Sequence, residues 1–158
     1  MYFDALEFLE EEREAWRPYE ALAELPDDRI DVPVAAAHGW TGRDLMSHMA
    51  HWLEAALAVA QELAIAETSP TKARLDREWE ERGDAINLEV QVGWRAMPIE
   101  EVRRRFRTVP GELRGTLTVV PEVRWLKNAD MLRYFLDETI DHDTDHRADL
   151  DAILAAGG

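Results

Sequence analysis

"GWTGRDLMSHMAHWLEAALAVAQELAIAE", residues 39–67, is the stretch on which the fold turns. It carries the clearest helix start in the chain. Thr41 is placed to cap the helix and Asp44 falls three positions later, the aspartate form of a capping box. Two side chains then answer two backbone N–H groups that the first helical turn leaves without partners. Trp40 precedes the cap and Leu45 follows at the fourth helical position, the pair expected for a hydrophobic staple. Beyond the cap, Leu45, Met49, Trp52, Ala56, Val59 and Leu63 recur every three or four residues. That period puts them on one face of a helix, predicted to run to about residue 67.

The flanking segments read as helices of the same kind. Residues 2–25 carry Phe3, Leu6, Leu9, Trp16, Tyr19 and Leu22 at helical spacings, with Pro18 set to bend or break the segment. Residues 26–39, with two prolines and a glycine, read as a connecting loop. Residues 68–97 are less regular and predict one or two shorter helices, with Gly83 and Gly93 as breaks. In 97–120, Pro98 stands near a helix start and acids follow in the first turn. Pro110 and Gly111 are expected to interrupt that helix with a kink. A last helix is predicted from about Asn128 to about Ala156, closed by Gly157 and Gly158. The sum is an all-α four-helix bundle of up-down type, with a helical insertion between the second and third main helices. A chain of 158 residues fits one domain, 1–158.

Composition narrows the chemistry. The apolar share of 46% marks a chain that folds, and there are no cysteines. Disulfides, cysteine-type zinc sites and thiol catalysis by the protein itself are excluded, so any metal must be held by His, Asp or Glu. Acids outnumber bases 33 to 18, a formal charge of −15. Such a surface repels phosphate backbones and anionic membranes, so neither nucleic acid nor membrane is an expected partner. The one basic run, "VRRRFR" at 102–107, reads as a solvated helix face. No apolar run approaches the roughly 20 residues that span a bilayer. The start "MYFDALEFLEEERE" has no signal-peptide pattern, and a cytoplasmic location is expected.

The histidines carry the functional signal. In "DETIDHDTDHRADL", residues 137–150, acids crowd around His142 and His146. Steps of three and four from Leu132, Phe135 and Leu136 pass through 139, 142, 143 and 146 to Leu150, so both histidines fall on the core-facing stripe. Two inward histidines four apart can reach one ion. His48, between Leu45 and Trp52 on the second helix, is the best third ligand. Three histidines leave a coordination position for water or substrate, the pattern of a catalytic site. A nitrogen-rich set suits Zn²⁺ or Ni²⁺, with Fe²⁺ and Cu²⁺ behind them. Asp143 and Asp145 are candidate outer carboxylates that orient the rings, against a plain reading as solvated acids. His51, rotated toward the flank, is a candidate proton carrier, a substitute ligand or simply surface. His38 falls in the loop and reads as surface or lid. The competing reading is that these histidines are hydrogen-bonded core residues and bind nothing.

Two segments resemble a known family. "GWTGRDLMSHMAHW" (39–52) is similar to the second-helix signature of DinB/YfiT-like proteins, in which a His follows eight residues after a Trp, here Trp40 and His48. "HDTDHRADL" (142–150) resembles their C-terminal His-x-x-x-His-Arg-x-x-Leu segment, and 83–106 resembles their middle region. The resemblance implies a four-helix bundle with a divalent ion on His48, His142 and His146. It implies a small-molecule substrate and often a homodimer. Similar proteins include S-transferases that use low-molecular-weight thiols such as mycothiol or bacillithiol, and DfsB/ClbS-type protectants against electrophilic toxins. The expected function is thiol transfer to an electrophile, in the manner of a detoxification S-transferase, or metal-assisted hydrolysis. The alternative is a module that binds a metal or sequesters a small ligand without turnover. His51 departs from the family pattern, which seldom has His there.

Overall fold

The protein is described here by a computed structural model covering residues 1–156, so the expected stop at Gly157 and Gly158 lies outside the described residues. Among the described residues the chain is all-helical, and the only strand-like pairing is one isolated bridge between Val34 and Trp40. No helix among them is long and apolar enough to cross a membrane.

The first helix, α1 (Ala5–Trp16), starts on Asp4, whose carboxylate accepts from the Glu7 N–H. It tightens into a 3₁₀ helix over Arg17–Glu24, where Pro18 sits in the first turn, as the sequence led one to expect. The following loop holds a short turn of helix, α2 (Asp27–Ile30), and a 3₁₀ turn at Ala35–Ala37. The central helix, α3 (Gly42–Ile65), has the predicted capping box. Asp44 N–H bonds Thr41 Oγ1 and Thr41 N–H bonds Asp44 Oδ2, both at 3.0 Å. Gly42, its first residue, packs so closely that a side chain there would make its neighbours shift. A Cβ there would lie 2.9 Å from Leu25 Cδ1 and 3.0 Å from Ile30 Cδ1.

Two helices fill the predicted insertion, α4 (Pro70–Arg82) and α5 (Ala85–Arg95). Gly83 ends α4 at φ +50°, ψ −131°, a conformation only glycine adopts readily. Gly93 does not break α5, contrary to expectation. The helix runs through it because its neighbour Trp94, 3% exposed, locks α5 onto the core. Nor does Pro110 interrupt α6 (Ile99–Val119), which is continuous with the proline inside it. The local loss of one backbone bond is outweighed by the length of α6 packed along α3, its main partner.

The last predicted helix is not one helix but three, α7 (Ala129–Glu138), α8 (Ile140–Asp145) and α9 (Arg147–Ala156). At the break, Thr139 takes φ −123°, ψ −97°. Its hydroxyl donates to the Phe135 carbonyl at 2.5 Å, and its N–H donates to Leu136 O at 3.3 Å. A second break falls at His146, at φ −94°, ψ 3°.

The core is centred on the inner face of α3. Leu45, Met49, Leu53 and Leu63 are all at most 1% exposed. Aromatic rings bind the other elements to one another. Trp16 stacks on Tyr19 and leans on Phe106, and Trp125 takes Phe8 and Phe135 edge to face.

Candidate metal centre

The break in the last helical segment does not scatter the histidines. His48 on α3, His142 on α8 and His146 at the α8–α9 junction each offer a ring nitrogen, and these atoms all lie within 4.8 Å of one another. The ring centroids form a nearly equilateral triangle with sides of 4.8, 4.7 and 4.8 Å. The rings are steeply inclined to each other, at 63°, 70° and 78°. His48 Nε2 and His142 Nε2 stand 2.9 Å apart. Two neutral rings can satisfy that contact, one donating and the other accepting. His142 Nδ1 is buried with no hydrogen-bond partner among the described residues.

Burial sets the protonation of the site. It pushes His48 down to about 2, helped by the neighbouring His142, His146 and His51, and it pushes His142 down to about 3, helped by His146. Both rings are therefore neutral at pH 7, the form in which imidazole binds metals.

His146 is held from behind. Its Nδ1 lies 3.0 Å from Asp149 Oδ2, one turn along α9. A carboxylate there fixes the Nδ1–H tautomer and leaves the other nitrogen free to face the cluster. Asp149 Oδ1 is 3.6 Å from Nε2 of the exposed His38. His38 itself sits in the left-handed conformation, φ +58°, in a tight turn closed by Val34 N–H on Trp40 O at 3.0 Å. That turn delivers Trp40, which stacks on His146 with centroids 5.7 Å apart and meets His48 edge to face.

The three histidines differ from the other expected site residues in where they sit. Asp145 is exposed and bonds none of them. Asp143 is 3% exposed, but neither carboxylate oxygen finds a partner. Burial pushes its carboxyl up to about 8, with Glu12 adding and Arg114 opposing. Those neighbours place it on the α1–α6 side, where Glu12 and Arg114 pair. Its backbone carbonyl accepts from the Tyr19 hydroxyl at 2.5 Å. His51 stands edge-on to Trp52 at 5.0 Å, near the Glu54–Arg105 ion pair that ties α3 to α6. It does not line the cavity that opens over the trio. The carboxylate that contacts a ring of the trio is Asp149, while Asp143 and Asp145 make no hydrogen bond to these rings among the described residues, and the signal of Asp149 in the sequence is its three-residue spacing from His146.

Sequence reading also missed the cleft. A cavity of about 920 Å³ opens above His48, His142 and His146. Its walls come from the insertion, through Leu75, Trp79 and Asn87, and from Trp52 and Tyr134 on α3 and α7. The volume falls within the range of small-molecule sites. In comparisons with known proteins, the chain matches no family model, no curated protein sequence and no solved structure.

Proposed function

We propose that the protein is a metal-dependent enzyme acting on a small molecule, with a divalent ion, Zn²⁺ or Ni²⁺, on His48, His142 and His146. The observation that supports this is the position of the trio, three imidazoles converging at the floor of a cleft. The residues fit such an ion. Their nitrogens lie close together, His142 Nδ1 has no hydrogen-bond partner among the described residues, and a carboxylate already contacts His146. When bound, the ion supplies Lewis acidity that lowers the pKa of a thiol or water beside it. The chain itself does the rest. Asp149 orients His146, Trp40 covers the ligands from the loop side, and Trp52, Trp79 and Tyr134 give the cleft aromatic walls.

The reaction we favour is transfer of a low-molecular-weight thiol to an electrophile, in a DinB/YfiT-like four-helix bundle working as a homodimer in the cytoplasm. Metal-assisted hydrolysis uses the same centre with water in place of the thiol. Elemental analysis of untagged protein beside His48→Ala tests the metal, with one first-row ion per chain expected in the wild type and none in the variant. Turnover is tested with mycothiol, bacillithiol and glutathione against a model electrophile. Rates equal with and without metal would sink the enzyme reading. Tight ligand binding without product would make the cleft a sequestering site.

A further inference from the structure

The walls of the cleft specify the charge of what enters it. Trp52 and Trp79 meet edge to face, with centroids 6.0 Å apart at 85°. The Trp52 indole N–H donates to Asn87 Oδ1 at 3.0 Å, which fixes that corner. Tyr134 adds a third ring, and the Lys72 ammonium already lies over its face, 5.6 Å from the centroid. Aromatic faces of this kind attract cations.

The charged lining has the same preference. Five acids, Asp76, Glu80, Asp130, Asp137 and Glu138, face the cavity against two bases, Lys72 and Arg133. Both bases are engaged. Lys72 pairs with Asp76 at 2.8 Å, and Arg133 pairs with Asp137 at 2.7 Å and with Asp141. Glu138 differs from the rim acids because it is half-buried. Burial and the neighbouring Asp137 both oppose its ionisation, and no cation offsets them. A carboxyl in that state gains most from an incoming positive charge.

We propose that the cleft takes a substrate carrying a cationic nitrogen on an apolar body of aromatic size, with Glu138 as counter-ion and Trp52, Trp79 and Tyr134 as walls. This rests on reading the histidine trio and the cleft as one active site. Anions, carboxylate-bearing thiols among them, meet like charge at the rim.

The test compares benzyltrimethylammonium, benzyl alcohol and benzoate at matched ionic strength, read from the indole N–H signals of Trp52 and Trp79. The quaternary nitrogen has no lone pair and cannot ligate a metal, so chelator-treated and zinc-loaded protein are both used. In the metal-free protein the cation is expected to bind at least about tenfold more tightly than the alcohol, with benzoate not binding. Glu138→Gln is expected to weaken the cation about tenfold and leave the alcohol unchanged. If that variant does not fold, Trp79→Ala serves, since this ring is 46% exposed and outside the core. It should weaken the cation most. Equal binding of alcohol or benzoate, no response to the cation, or an undiminished preference in the variant used would overturn the proposal. Zinc content of the same loaded samples separates the two readings. Absent zinc removes the metal centre and leaves the cation comparison standing.

Discussion

At the scale of single residues, the centre depends on how rigidly His146 is aimed. Among the described residues Asp149 is its one hydrogen-bond partner through Nδ1, and that contact reaches back across one turn of α9. An amide in place of the carboxylate keeps the shape but loses the charge that favours the Nδ1–H tautomer. Asp149→Asn is therefore expected to lower zinc affinity about 10–100-fold in a competition titration with a chromophoric chelator. The thermal unfolding of the metal-free form should barely change, because Asp149 is not part of the apolar core. His38→Ala is the matched control, since His38 touches Asp149 only at 3.6 Å and is largely exposed. Unchanged affinity in Asp149→Asn would mean that packing by Trp40, not the carboxylate, orients the ring.

At the scale of elements, the start of α3 holds more than its own first turn. Asp44 is 2% exposed and closes the capping box, and its two oxygens also take Arg95 of α5 at 2.9 Å each. Thr41→Ala removes half of the box and is expected to cost about 1 kcal/mol in urea unfolding. Asp44→Ala removes the other half and the tie to the insertion, so it should cost clearly more. Equal costs would show that the link to α5 adds no stability. This box was legible in the sequence because its chemistry is local, four residues answering two N–H groups. The same locality misled elsewhere. Gly93 and Pro110 obey weak or local rules that packing of Trp94 and of α6 overrides. The break at Thr139 leaves the helical period of the apolar residues intact, so a periodic pattern does not record it. The three histidines were legible as a stripe and survived the break because α8 resumes one residue later. The cleft wall was not legible. Among its residues α4 buries none, so its polar pattern carries no inward face to read.

At the scale of the whole molecule, a strongly acidic surface encloses buried groups that are held neutral, and the two kinds oppose each other with pH. His48 and His142 sit at about 2 and 3 in the fold, against 6.5 ordinarily. As pH falls below about 6.5, the unfolded chain takes up protons that the folded chain refuses, so these groups lose stability toward acid. His51, also lowered by burial, acts in the same direction. Asp143 and Glu138 are both pushed up to about 8. As pH rises from about 4 to 8, the unfolded chain releases protons that the fold retains, so these groups lose stability toward base. Glu12, raised by burial against its Arg114 partner, adds to that side. Each proton is worth up to about 1.4 kcal/mol per pH unit. Between about pH 4.5 and 6.5 the two slopes largely cancel, and above about 6.5 only the carboxyls remain. Metal-free protein is therefore expected to be most stable in mild acid, with its urea midpoint falling between about pH 6.5 and 8. Asp143→Asn and Glu138→Gln together should flatten that fall. Excess zinc should raise the midpoint at pH 7, where His48 and His142 are already neutral in the fold. A midpoint that rises from pH 6.5 to 8 without metal would mean that both carboxyls are ionised inside the fold. It would also mean that water or a cation reaches them.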